Sequence, residues 1–350
     1  MQAASCLTSA LPMRFLPRLL LLLLPGAALA QTPPPTRFTT TGHIERKAPG
    51  LDALLAPDAQ VEILASGLGH PEGPVWVADS SMLLFTDAPT STVYRWSAGR
   101  GLTKFLEHSG YTGRLPYSRE TGANGLALDG RGNLLLCEHG DRRLARLPLG
   151  QPSGKLTLTD HYQGRRYNSP NDVAVQPGSG IIFFTDPPYG LPRQENDPLR
   201  ETPTSGLYRL RPDGKVTLMA AHFTRPNGLG FSADGRTLYV AQSDSLKPLI
   251  MAYPVNAKGR LGTGRLFFDL SQVPKVRPKE VPDGLAVDRA GNVWASGPGG
   301  LLILSPQGQH LGTIDPGEVV ANCAFGDDGR TLYLTVGTWL CRIRTLSSGF

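Results

Sequence analysis

The sequence predicts an all-β protein, a six-bladed β-propeller, on three observations: a glycine- and proline-rich composition, one phrase repeated six times, and a tight turn inside the repeats. The 350 residues include 41 glycines and 31 prolines, with 40% hydrophobic and 18% charged residues. Long helices resist that mixture, whereas many short strands joined by turns require it. The apolar content is enough for a large core, and the charge load is far from that of a disordered chain.

The phrase is a small residue or proline, then Asn, Asp or Glu, usually Gly, then an alternating apolar run, a turn and a second strand. Its copies begin at Pro71-Glu72-Gly73, Ala123-Asn124-Gly125, Pro170-Asn171-Asp172, Pro226-Asn227-Gly228, Pro282-Asp283-Gly284 and Ala321-Asn322-Cys323. Each copy leads to a second strand such as Leu83 to Asp87, Ile181 to Asp186 or Thr237 to Val240. Turn chemistry falls where the strands must reverse, at Asp129-Gly130, Asp234-Gly235 and Asp328-Gly329. Repeats of several short strands, roughly 40 to 55 residues apart, match propeller blades, which bury their faces only by stacking on neighbours. Val61 to Leu64 precedes the first copy, and the ring closes if it supplies the missing strand of the last blade. A two-sheet sandwich, the competing architecture, gives no reason for one phrase to recur six times.

Arg14 and Arg18 precede the apolar run Leu19 to Leu24, which ends at Ala28-Leu29-Ala30, the layout of a secretory signal. The run is too short for a permanent membrane span, although an N-terminal anchor is the alternative. Met13 is a second candidate start. The expected organisation is therefore a signal peptide over 1–30, a leader or N-terminal extension over 31–59, and a catalytic propeller over 60–350. Such a signal places the mature protein in the periplasm or the medium, without stable membrane insertion. Net charge is +6 for the whole chain, the basic residues are scattered, and no nucleic-acid footprint is indicated. Of the four cysteines, Cys6 lies in the signal. Cys323 and Cys341 could pair after export, or Cys137, Cys323 and Cys341 could all be free thiols. The oligomeric state is not legible.

The first strand of every blade lines the central channel, so the polar residue before each apolar run lies at one mouth. Glu72, Asn124, Asn171, Asn227, Asp283 and Asn322 would converge there. The plainer reading is that Asn-Gly and Asp-Gly are turn formers at blade entrances. Two carboxylates and four amides are an all-oxygen set that suits a hard cation, Ca²⁺ before Mg²⁺, and no histidine or cysteine occupies these positions. A metal site at the central channel is thus part of the expected fold.

The phrases around Glu72, Asn171-Asp172, Asn227-Gly228 and Asp283-Gly284 resemble those of the gluconolactonase, regucalcin (senescence marker protein) and luciferin-regenerating enzyme family. Ser169-Pro170-Asn171-Asp172, Phe184-Thr185-Asp186-Pro187-Pro188-Tyr189-Gly190 and Cys137-Glu138-His139-Gly140 resemble its bacterial gluconolactonase branch, over roughly residues 60 to 345. The resemblance implies a propeller with one catalytic divalent cation, most simply Ca²⁺, with Zn²⁺, Mn²⁺ or Mg²⁺ as alternatives. It implies Glu72, Asn227 and Asp283 as metal ligands, with Asp283 also general base or nucleophile. Asn171 matches a position that touches metal, substrate or both.

The expected reaction is hydrolysis of a small-molecule sugar lactone, its carbonyl on the cation and Asp283 taking a proton from water. A metal-bound carboxylate is a weak base, and His139 is the candidate to relieve that, with His70 weaker. Asn124, Asn171, His139 and Asn322 are the candidate substrate contacts, and Arg114, Arg165, Arg166 and Tyr167 could reach polyol hydroxyls from loops. No Gly-x-Ser-x-Gly elbow points to a serine hydrolase. The segment from Pro187 to Ser205 is long enough to be a rim or lid. The alternatives are a metal-dependent arylesterase or organophosphate hydrolase of the same fold, and a non-catalytic ligand-binding propeller with a structural cation.

Overall fold

The computed structural model describes residues 38–150 and 154–350. The expected signal segment, 1–30, lies outside them. Six antiparallel sheets follow one another along the chain, with inner strands Pro71–Val77, Ala123–Leu128, Val173–Val175, Pro226–Phe231, Leu285–Val287 and Val320–Gly326. We call these sheets blades one to six. Each inner strand hydrogen-bonds to the next strand in sequence, and each blade meanders outward from the channel.

Alternation explains the packing. Both faces of every blade are apolar, so neighbouring blades must cover each other. Six apolar clusters result, one at each interface. Blade one meets blade six through Leu83, Phe85 and Trp96 against Tyr333 and Leu340. Blades three and four meet through Phe183 and Leu207 against Leu238 and Val240. Each such fully buried side chain contributes about 1.5–3 kcal/mol of transfer free energy.

The ring is closed by an early strand. Val61–Ala65 pairs with Trp339–Arg344, in the register Cys341 to Ile63 and Arg342 to Glu62. An Arg342–Glu62 ion pair at 2.6 Å spans the seam. Blade six therefore holds three strands from the end of the chain and one from its beginning, as the unplaced Val61 run required.

Part of the segment expected as a leader belongs to the propeller. Thr39–Thr41 adds a fifth strand to blade six, and His43–Arg46 adds one to blade five against His310–Asp315. Leu51 and Leu55, just beyond, are fully buried against blade five and blade six side chains. Both added strands are short and mostly exposed, and such edge pieces carry little of the alternation by which strands are read.

Cys137, Cys323 and Cys341 are buried free thiols. Cys323 and Cys341 both pair with Leu334, from opposite sides. Two strand spacings, about 9.6 Å, separate them, beyond the reach of a disulfide. Among the described residues no helix is long and apolar enough to cross a membrane.

Candidate functional site

In blades one, two and four the polar residue of the repeat lies in the inner strand itself, at a bulge, while Asn171 and Asp283 just precede theirs. Strand pairing slips between Glu72 and Val75, between Ala123 and Leu126, and between Pro226 and Leu229. The glycine after it provides clearance for the next blade and is not part of a hairpin turn. A Cβ at Gly73 would stand 2.2 Å from the carbonyl oxygen of Asn124, and one at Gly228 would stand 2.2 Å from that of Asp283. The Asn-Gly and Asp-Gly phrases are thus close-approach devices at the mouth of the channel.

Backbone hydrogen bonds between blades fix which positions are equivalent. The N–H groups of Gly125, Gly228 and Gly284 donate to the carbonyls of Asn171, Asp283 and Ala321 in the following blade, at 2.7, 3.0 and 2.7 Å. The ring position is therefore held by Glu72, Asn124, Asn171, Asn227, Asp283 and Ala321. Asn322, expected in that ring, stands one residue later, where four other blades have glycine and blade three has Asp172. Its side chain occupies the space that Gly284 leaves open: a Cβ there would lie 2.0 Å from the Asn322 Cγ. Asn322 Nδ2 donates to Glu72 Oε2 at 3.0 Å, and its Oδ1 accepts from the Cys323 N–H at 2.8 Å. Both ends of that amide are committed, so Asn322 orients Glu72.

The mouth gathers negative charge. Burial raises the Glu72 carboxyl, opposed by the charge of His70 and by bonds from the Gly73 N–H at 2.8 Å and from Asn322. Asp283 is pushed well above the usual carboxylate range by burial, and then by the charges of Glu72, Asp172 and Glu120. Asp172 is pushed up to about 8, chiefly by burial, with a bond from the Val173 N–H at 2.8 Å opposing and the charge of Glu72 adding. Asp172 and Glu120 were not on the sequence-derived set of site residues. Asp172 sits inside a quoted motif, masked by the neighbouring Asn171; Glu120 lies in a loop with no repeat signal.

The amides are less encumbered. Asn171 is buried, its Nδ2 lies 3.4 Å from His139 Nε2, and its Oδ1 is buried without a partner. Asn227 Nδ2 donates to Ser243 Oγ at 2.9 Å and also bonds the Asp283 carboxylate. With both N–H donors used, its oxygen is the free end. Asn124 is buried at the same level, and its backbone carbonyl accepts from Thr86 Oγ1 at 2.8 Å.

His139 is fully buried beside Asn171. Burial pushes its imidazole down to about 4, which leaves it neutral and a weak proton acceptor at physiological pH. His70 is partly buried and close enough to Glu72 for its charge to act there. Among the loop candidates, Arg114, Arg165 and Arg166 are exposed, but Tyr167 is a core residue. Its hydroxyl bonds Thr159 Oγ1 at 2.8 Å and its ring packs edge-on to Phe184 and Tyr208, so it does not reach the mouth. The segment 187–205 does: Gly190 packs so closely that a Cβ would lie 2.6 Å from the His139 Cβ, and Tyr189 stands beside Asp283. Among the described residues no three His, Cys, Asp or Glu side chains come together as a ligand group. Any cation here would depend on the amide oxygens.

The fold is a six-bladed β-propeller with carboxylates and amides around one channel mouth. The chain belongs to the SMP-30/gluconolactonase/LRE-like family, whose model matches residues 70–338. It is 36% identical over 324 residues to a gluconolactonase from Zymomonas mobilis, covering 89% of this chain and 88% of that one. It is 27% identical to a pentonolactonase from Haloferax volcanii, covering 75% of this chain and 80% of that one. Among solved structures, a gluconolactonase from Xanthomonas campestris superimposes with a TM-score of 0.75 at 30% identity, over 89% of this chain and 99% of that one. A regucalcin from Agrobacterium tumefaciens shares the fold, with a TM-score of 0.63 at 18% identity over 82% of this chain and 94% of that one.

Proposed function

We propose that the protein hydrolyses a sugar lactone to its aldonic acid with one divalent cation, Ca²⁺ by preference, at the channel mouth. The observation that carries this reading is the buried, unpartnered Oδ1 of Asn171, at a mouth where burial and the charges of Glu72 and Asp172 push the Asp283 carboxyl up. A buried acceptor without a donor and a knot of like charge are both relieved by a cation. Glu72, Asn171, Asn227 and Asp283 would hold it, an all-oxygen set that fits a hard ion. When bound, the cation polarises the lactone carbonyl and offsets the repulsion among the carboxylates.

The remaining chemistry falls to the chain's own groups. Asn322 holds Glu72 in place through its Nδ2. Asp283, with its backbone N–H anchored on Ser296 Oγ at 2.8 Å, takes the proton of the attacking water. The Asn124 amide binds hydroxyls of the sugar ring. His139, neutral, receives a hydrogen bond and is not the base. The names of the relatives, one a gluconolactonase and another a pentonolactonase, support a sugar lactone as the substrate class. The signal-like sequence over 1–30 supports export to the periplasm or the medium.

The test is a pH-indicator assay with D-glucono-1,5-lactone on mature protein, with chelator and with Ca²⁺ restored. Activity lost with chelator, regained with Ca²⁺ and lowered about 10³-fold or more in Asp283→Ala is the expected result. Activity unchanged by chelator overturns the cation's part.

A further inference from the structure

Outside the ring of ligand candidates, a chain of polar contacts runs from the solvent-facing rim segment into the buried site. Glu195, in the short 3₁₀ turn Gln194–Asn196 of that segment, accepts from Arg225 Nε at 2.7 Å, and Gln194 Oε1 accepts from Arg225 Nη2 at 3.1 Å. The Arg225 guanidinium stacks 5.4 Å above the ring of Tyr189. The Tyr189 hydroxyl lies within hydrogen-bonding reach of Ser243 and Arg225. Ser243, buried at the end of the second strand of blade four, is fixed by its N–H donating to the Arg225 carbonyl at 2.9 Å. Its hydroxyl donates to the carbonyl of Pro282 and accepts from Asn227 Nδ2.

The donor count decides what this chain does. A serine hydroxyl has one proton and two lone pairs. Its proton is spent on the Pro282 carbonyl, so Ser243 meets Asn227 only as an acceptor. The Asn227 amide must turn its nitrogen to Ser243 and its oxygen to the channel. The same hydroxyl holds the peptide that leads into Asp283, so one oxygen atom sets two ring residues from adjacent blades. Its second lone pair is left to the Tyr189 hydroxyl, which the rim contributes.

We propose that Ser243 is a positioning residue, locked by Tyr189 from the rim segment, that turns the Asn227 oxygen toward a cation and fixes the peptide from which the Asp283 carboxylate reaches the same ion. This rests on the cation reading above. Partners behind a ligand typically change metal affinity or activity by about 10–100-fold.

The test is calorimetric titration of chelator-stripped protein with Ca²⁺, alongside kcat and KM for D-glucono-1,5-lactone. The variants are Ser243→Ala, Tyr189→Phe and Ser305→Ala. Ser305 supplies a baseline for losing a structural hydroxyl, since its Oγ accepts from the N–H groups of Gln307 and Gln309 in a turn of blade five. Ser243→Ala is expected to weaken Ca²⁺ binding by about 10–100-fold, while Ser305→Ala leaves it unchanged. Tyr189→Phe, which keeps the ring under Arg225, is expected to lower kcat by about 10-fold with KM little altered, and it carries the test alone if Ser243→Ala fails to fold. Ca²⁺ affinity and kcat within twofold of wild type in both site variants overturn the proposal. A wild type that takes up no Ca²⁺ overturns the cation reading itself, a distinct result.

Discussion

Blades four and six both bring an asparagine to the channel mouth, and they use it in opposite ways. Asn227 occupies the ring position, spends its nitrogen on Ser243 and Asp283, and keeps its oxygen for the channel. Asn322 stands one residue further along, with its nitrogen on Glu72 and its oxygen on the Cys323 N–H. One is a ligand candidate and the other is a brace. The same residue type in the same phrase of the repeat therefore says little until the hydrogen bonds on both ends of the amide are counted.

That contrast can be broken most forcefully by deleting each amide. Asn227→Ala removes a ligand oxygen and is expected to weaken Ca²⁺ binding about 100-fold. Asn322→Ala leaves every ligand present but frees Glu72, and the expected loss is about 10-fold, read in the same titration. Equal losses in the two variants would erase the distinction between ligand and brace.

A smaller effect sharpens the electrostatic side of the comparison. Asp172 stands in the position equivalent to Asn322, with a charge in place of an amide. Its folded-state pKa of about 8 lies above its usual 3.8, so the folded, cation-free protein binds a proton there that the unfolded chain releases. Its contribution to stability is present below about pH 4 and is lost as pH rises toward about 8. Melting temperatures in chelator should therefore fall between pH 5 and pH 8.5, and Asp172→Asn should flatten that slope. An unaltered slope would place the charge strain elsewhere.

The smallest effect is an expected absence of change. Cys323 and Cys341 lie on strands that flank Leu334 and cannot bond. Reductant should leave the melting temperature of air-oxidised protein where it was. A drop of several degrees would contradict the strand register of blade six.

Much of the fold was legible because a propeller writes its plan repeatedly. Six phrases gave six blades, and the stray run at Val61 found its place in the seam. The errors have physical causes. Ala-Asn-Cys matches Ala-Asn-Gly in sequence and so points to Asn322 for the ring, while the true equivalence depends on inter-blade bonds such as Gly284 to Ala321. Asn-Gly looked like a turn because glycine's commonest use is conformational, yet here its missing Cβ matters more than its dihedrals. Tyr167 looked like a loop residue, but its ring is core to the blade two and three interface. Ser243 left no trace, because a lone serine gains its meaning from partners 16 and 39 residues away.

The most direct test of the central claim is a titration of Ca²⁺ into chelator-stripped wild-type protein and into Asp283→Asn. The account predicts one ion per wild-type chain and its loss in the variant, together with a higher melting temperature for the variant in chelator because a buried charge has gone. Binding that persists undiminished in Asp283→Asn, or a wild type that takes up no ion, would contradict it.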